Sequence, residues 1–284
     1  MRIKIVLMLT LILSSLHLEA KEQTVTDYEV KYTYVSIDTG RTLHPIAAKL
    51  SIPKILGNQA PPVVIIAHGS GGIDERGSLY SQRLNKAGIA TIEIDMWSAR
   101  NMKGGLSRPK TVYETTPDIL DTVNYLNSND MVDKNRIGLL GFSWGGAMSM
   151  LLATEESPTT NSLKSFAANY PVCWAYNTVP IYRFNTLKRN ASLLIISGSD
   201  DKYDDPNDCK NLVENMDYES QLRTRHIRLN GATHAFDLNK ADSEFYDPFA
   251  YSGKGGLVPI KYNKHMAEKS LNAVIDFFKL SLYK

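Results

Sequence analysis

"GLLGFSWGGAMS", residues 138–149, decides how this chain is read. An apolar run ends at Gly141, and a helix-forming run begins at Trp144, with Ser143 at the joint. A strand that turns at once into a helix holds the residue at the turn in a strained conformation. Its neighbours two positions away must be small, which accounts for Gly141 and Gly145. Such a turn lifts the Ser143 hydroxyl out of the core. A serine hydroxyl is a poor nucleophile at neutral pH and needs a base, and histidine titrates in the right range. The backbone N–H of Trp144, at the helix start, points to where an oxyanion would form.

Outward from this stretch, short apolar runs recur: 63–67 (VVIIA), 89–94 (IATIEI), 136–140 (RIGLL), 192–197 (SLLIIS) and 225–229 (RHIRL). Four of them read as parallel strands buried on both faces. Upstream, 28–36 alternates apolar and polar residues like an antiparallel strand with one wet face, and 45–52 is its candidate partner. Helical stretches fall at 75–87, 116–128, 144–155, 207–217 and 264–280. In 116–128, Thr116 is the candidate cap, Pro117 suits the first turn, and Asp118 suits the positive end of the dipole. Strand and helix alternate, so the expectation is an α/β fold with right-handed crossovers and a mostly parallel central sheet flanked by helices on both faces.

In such a sheet, sites form beyond the carboxyl ends of the strands. VVIIA is followed by HGSGG (68–72), RIGLL by GFSWGG (141–146), SLLIIS by GSDD (198–201), and RHIRL by NGATH (230–234). A serine, an acidic pair, a histidine and two glycine-rich loops therefore converge on one edge. His234 follows a late strand in a glycine-bearing loop, whereas His44, His226 and His265 lie elsewhere in the pattern. His68 reads as a loop-shaping residue. Asp200 and Asp201 are adjacent, and only one carboxylate can face the imidazole. No His/Cys cluster has metal-ligand spacing, so neither metal nor cofactor is expected.

Four motifs in order, HGSGG, GFSWGGAM (141–148), GSDDKYDDPNDC (198–209) and GATHAFD (231–237), resemble the dienelactone hydrolase family of α/β-hydrolases over roughly residues 45–280. The order Ser, Asp, His is that of the α/β-hydrolases. The resemblance implies a Ser143–Asp201–His234 triad, with Asp200 in reserve as the acid. It implies oxyanion donors from the backbone N–H groups of Trp144 and Ser70. It also points to Arg100 in the stretch DMWSARN as a candidate for binding a substrate carboxylate, although the spacing is one residue longer than in the family. The alternative for Arg100 is a solvated loop charge. Trp97, Trp144 and Trp174 all stand just past strand ends, as pocket lining or as packing; Trp97 is carried forward with Arg100 as a substrate-binding candidate. Two departures stand out. The family's nucleophile is a cysteine, and here it is Ser143. The family's glutamate in the first loop is replaced by Gly69. A serine esterase acting on a small-molecule ester or lactone fits better than a dienelactone-specific enzyme. A peptidase or acyltransferase with the same triad, or a non-catalytic binder on a hydrolase scaffold, are the alternatives.

The 284 residues, 43% hydrophobic and 22% charged, suit one large α/β domain. Residues 1–20 combine Arg2 and Lys4 with an apolar run and Ala20 as a small residue before the cut, the pattern of a secretory signal peptide. That leaves a single domain over 21–284, exported to the periplasm or medium. Cleavage after Ala20 leaves a net charge of about +1, which excludes an electrostatic case for nucleic acid or an anionic membrane surface. The two cysteines, Cys173 and Cys209, are an even pair in an exported chain and are expected to form a disulfide.

Overall fold

A computed structural model describes residues 29–54, 59–154, 162–178 and 184–283. The proposed signal peptide lies outside these residues. Eight strands form one sheet: β1 (Val30–Ile37), β2 (Ile46–Pro53), β3 (Val63–Ala67), β4 (Ala90–Asp95), β5 (Ile137–Phe142), β6 (Leu163–Asn169), β7 (Ser192–Gly198) and β8 (Thr224–Leu229). Their spatial order is β1-β2-β4-β3-β5-β6-β7-β8. The first two joints, β1 with β2 and β2 with β4, are antiparallel, and the remaining five are parallel. This is the α/β-hydrolase fold. A two-stranded hairpin, β9 (Ser243–Asp247) and β10 (Gly256–Ile260), stands apart from the main sheet.

The period-2 geometry of the strands divides the core in two. Ile65, Leu139, Phe166 and Ile195 point to one face, where α2 (Thr116–Asn127) and α3 (Trp144–Ala153) cover them. Val64, Ile66, Leu140 and Ile196 point to the other, under α1 (Glu75–Lys86) and α8 (Lys264–Leu282). β3 and β5 are buried along their whole length, which is why they read as unbroken apolar runs. The shorter helices are α4 (Trp174–Thr178), α5 (Asp208–Glu214), α6 (Tyr218–Leu222) and α7 (Ala250–Gly253).

Three details differ from the sequence reading. β6 was not anticipated, because its Lys164, two alanines and terminal asparagine carry little strand propensity. Its place in the sheet comes from pairing with β5 and β7. Thr115, not Thr116, precedes α2, and Asp118 is fully buried on an arginine. Residues 241–263, to which the sequence reading assigns no element, hold the β9–β10 hairpin and α7. Among the described residues no helix is long and apolar enough to cross a membrane.

Candidate active site

Ser143 joins β5 to α3 with φ 50° and ψ −106°, a conformation that L residues rarely adopt. Its neighbourhood is closed by backbone. A Cβ on Gly141 would lie 1.9 Å from the carbonyl oxygen of Gly145, and one on Gly145 would lie 2.2 Å from that of Ala67. Only glycine lets the strand end, the helix start and the neighbouring strand approach this closely. The Ser143 amide donates to Asn169 O at 2.9 Å, and the Gly145 amide donates to His68 O at 3.2 Å. The joint is thus pinned from both sides.

The loops after β7 and β8 are stitched to each other. Ser199 N donates to Leu229 O, Asp200 N donates to Ala232 O at 2.9 Å, and Gly231 N donates to Ser199 Oγ at 2.7 Å. Gly198 permits the approach, since a Cβ there would meet Ala232 O at 2.2 Å. The result is a continuous relay. His234 Nδ1 lies 2.7 Å from Asp201 Oδ2, and His234 Nε2 lies 2.9 Å from Ser143 Oγ. A carboxylate only accepts, so Nδ1 carries the proton and Nε2 is free to accept from the hydroxyl. Asp201 and His234 are buried. The other Asp201 oxygen accepts from Tyr203 N at 2.9 Å, which orients the carboxylate. Asp200 faces outward and accepts from Ser199 Oγ instead.

The amides of Ser70 and Trp144 have no acceptor among the described residues. The Ser70 loop is held from behind: its carbonyl accepts from Trp97 Nε1 at 2.9 Å and from Gly105 N at 2.7 Å. His68 is buried and neutral by its bonding, since Nε2 accepts from Met96 N and Nδ1 donates to Gly69 O. Burial pushes its pKa down, against the pull of the Gly69 carbonyl. The loop-shaping role expected for His68 is the geometry found.

Two of the sequence candidates lie off the cavities. Arg100 grips Asp118 with both terminal nitrogens, at 2.6 and 3.0 Å, and donates to Met96 O and Glu114 O. It is spent on anchoring α2 and is neither a solvated loop charge nor a cavity residue. Trp97 is 3% exposed and packs beneath the glycine loop. It braces the loop and does not touch the cavity. Trp144 and Trp174 do line it.

Two clefts meet at Ser143. One, of about 280 Å³, is walled mainly by Trp144, Ala147, Val172, Trp174, Tyr176 and Phe249. The other, of about 710 Å³, contains His234 and is bordered by Glu75, Arg76, Leu106, Lys240 and Glu244. The residues that sequence reasoning missed cluster here. Tyr203 stacks obliquely on His234, with ring centroids 4.4 Å apart, and its hydroxyl donates to Asp247 Oδ2 at 2.8 Å. Arg108 pairs with the same buried carboxylate at 2.9 Å. Tyr170 meets His234 edge-on at 5.0 Å. Tyr170 was discoverable in principle, since it follows the carboxyl end of β6, but that strand carried no signal of its own.

Cys173 and Cys209 form a disulfide that ties the start of α4 to α5. With Asp204 they make a compact group of potential metal donors, but both sulfurs are committed to each other. Asp204 accepts from Cys173 N and Trp174 N, each at 2.8 Å. Burial, with the nearby Asp201 charge adding to it, pushes its pKa up to about 8.

Comparison with known proteins agrees with this architecture. The family model of the dienelactone hydrolase family matches residues 46–282, and the chain belongs to that family of hydrolases. An uncharacterized 31.7 kDa protein of Escherichia coli, from the traX-finO intergenic region, is 31% identical over 114 residues. That match covers 39% of this chain and 38% of the relative, so the chain spans well under half the length of this curated relative. Among solved structures, the dienelactone hydrolase of Anabaena variabilis superposes with a TM-score of 0.58 at 19% identity, covering 89% of this chain and 99% of that one. Est1E from Butyrivibrio proteoclasticus superposes with a TM-score of 0.59 at 20% identity, covering 88% and 99%. At these identities the likeness is one of fold.

Proposed function

We propose that the protein is a serine hydrolase that cleaves carboxylic esters or lactones, with Ser143 as nucleophile, His234 as base and Asp201 as the acid that orients it. One observation carries this reading: an unbroken chain of hydrogen-bond distances, 2.7 Å and then 2.9 Å, from a buried carboxylate through an imidazole to a hydroxyl at a cavity mouth.

The chemistry follows from those positions. His234 Nε2 takes the hydroxyl proton as Ser143 Oγ bonds to the ester carbonyl carbon. The carbonyl oxygen becomes an oxyanion facing the amides of Ser70 and Trp144. Each such donor typically contributes roughly 3 kcal/mol to the transition state. The tetrahedral carbon collapses, the bond to the alcohol oxygen breaks, and the imidazolium returns its proton to that oxygen. Water then attacks the acyl-enzyme, giving its proton to His234. The second collapse releases the acid and returns the proton to Ser143. Asp201 stays ionised throughout and stabilises the imidazolium. No step calls for a cofactor.

An exported, single-domain enzyme preceded by a signal peptide over residues 1–20 fits this reading. The Cys173–Cys209 disulfide supports export, because such bonds persist in oxidising compartments.

The test is labelling with a fluorophosphonate probe, alongside a panel of p-nitrophenyl esters and peptide substrates. The expected outcome is labelling of the wild type that disappears in Ser143→Ala, with turnover of esters but not of peptides. An unlabelled wild type would favour a binding protein. Peptide cleavage at comparable rates would favour a peptidase.

A further inference from the structure

The two clefts at Ser143 are unlike, and the direction of proton transfer tells them apart. The tetrahedral carbon formed on Ser143 has four substituents. One is Oγ itself, and the oxyanion faces the amides of Ser70 and Trp144. The leaving oxygen must lie within reach of His234 Nε2, which supplies its proton and sits 2.9 Å from Oγ. The remaining substituent, the acyl carbon, is directed away from the imidazole. Both clefts include Ser143 and Ser70; only the 710 Å³ cleft includes His234, and only the 280 Å³ cavity includes Trp144.

Resting on the hydrolase reading above, we infer that the smaller cavity holds the acyl group and restricts it to a compact apolar chain or a single ring, while the alcohol part occupies the wide, charged cleft beside His234. At about 280 Å³, the cavity has well under half the volume of the cleft beside it. Its wall is mostly apolar: Trp144, Ala147, Val172, Trp174, Tyr176 and Phe249. Two cations also border it, Arg108, which is paired with Asp247, and Lys110, which is exposed, so the acyl contact itself is with the apolar wall.

Trp174 is the specificity-determining residue of this pocket. Its backbone N–H and that of Cys173 are both held by Asp204, at 2.8 Å, in the loop that also carries Asp201. The adjacent disulfide ties the same turn to α5. Its indole lies against Gly253, where a Cβ would come within 2.8 Å of the ring. A wall braced on three sides does not yield to a longer chain. Ala147, one of two alanines in the lining with Ala175, has its carbonyl accepting from Tyr176 Oη at 2.6 Å.

The experiment measures kcat/KM for p-nitrophenyl acetate, butyrate, octanoate and dodecanoate with the wild type, Trp174→Ala and Ala147→Leu, and then for acetate esters of alcohols of increasing size. The wild type is expected to peak between butyrate and octanoate and to fall at least tenfold at dodecanoate. Trp174→Ala should raise the dodecanoate-to-butyrate ratio about tenfold, and Ala147→Leu should move the optimum to acetate. Alcohol size should change the rate only a few-fold. A flat acyl profile in a wild type whose Ser143 is labelled by fluorophosphonate overturns the pocket assignment and leaves the hydrolase reading standing. So does a length limit that follows the alcohol, or ratios unchanged in both variants. A wild type that neither labels nor turns over any ester overturns both.

Discussion

Two buried polar clusters lie back to back beneath Ser143, separated by the contact of one tyrosine ring with one imidazole. The first is the relay Asp201–His234–Ser143, and it ends on open clefts. The second runs from Arg76 Nη1 to Tyr170 Oη at 2.9 Å, on to Asp237 at 2.6 Å, and from Asp237 to Tyr80 Oη, which also meets Ser270 and Asn169. It runs inward between the sheet, α1 and α8, and meets the wide cleft at Arg76, which Asp74 and Tyr170 hold. Burial, together with the Asp237 charge, pushes the pKa of Tyr80 far up, and burial does the same for Tyr170. Both clusters contain a carboxylate that accepts from a ring-bearing side chain. What separates them is the group at the cleft: a hydroxyl aligned with a base in one case, and a guanidinium already held by Asp74 and Tyr170 in the other. Residue type alone therefore says little about role, and access to a cavity says more.

Removing the exposed end should have the largest effect. Ser143→Ala is expected to lower kcat by at least about 10⁴-fold while its melting temperature stays near that of the wild type, read by ester turnover and thermal denaturation. If activity falls only through unfolding, the contrast between the clusters fails. One step inward, Asp201→Asn should cost roughly 10³- to 10⁴-fold in kcat by allowing the wrong imidazole tautomer. Its neighbour provides the control, since the Asp200 side chain is exposed and accepts from Ser199 Oγ, and Asp200→Asn should change kcat less than threefold. Equal losses in the two would mean that the acidic pair had been divided wrongly.

In the second cluster the expected outcome is reversed. Tyr170→Phe leaves Arg76 and Asp237 each short of a partner, a loss of about 1–3 kcal/mol in stability measured by denaturant titration. The folded fraction should keep kcat within tenfold of wild type, because the ring that packs on His234 remains. A large kcat loss without destabilisation would place this cluster in the chemistry.

Glu93 on β4 belongs to neither cluster and calibrates both. Burial pushes its pKa up to about 7, against the pull of Lys49. Between about pH 4.5 and 7 the folded protein holds a proton that the unfolded chain has released. Its contribution to stability is therefore complete below that window and lost as pH rises through 7. Glu93→Gln should match the wild type near pH 4 and become more stable by about 1–3 kcal/mol above pH 7, as followed by melting temperature across pH. A difference independent of pH would mean that Glu93 is not a buried acid of this kind.

The elbow at Ser143 was legible because its constraint is local. Two glycines two residues away on either side are required by the turn itself, whatever the rest of the chain does. The central strands were legible because burial on both faces leaves an unbroken apolar run. β6 was not, because lysine, alanine and asparagine do not announce a strand, and Tyr170 vanished with it. Arg100 and Trp97 were placed near the site by position along the chain, but side-chain direction sent one to Asp118 and the other beneath the glycine loop. The choice of Asp201 over Asp200 rested on the family resemblance, because two adjacent identical letters carry no distinction of their own.

By itself, the amino-acid order determined the α/β alternation, the sharp turn at 143 and the set of loops from which the polar residues come, since each follows from short-range sterics and burial periodicity. Only the tertiary structure decided which carboxylate meets His234, which tryptophans line a cavity, and that Ser143 stands between a small apolar pocket and a wide charged one. Those outcomes depend on how separate loops, tens of residues apart in the chain, are hydrogen-bonded to one another at the sheet's edge, and no local pattern encodes that distance.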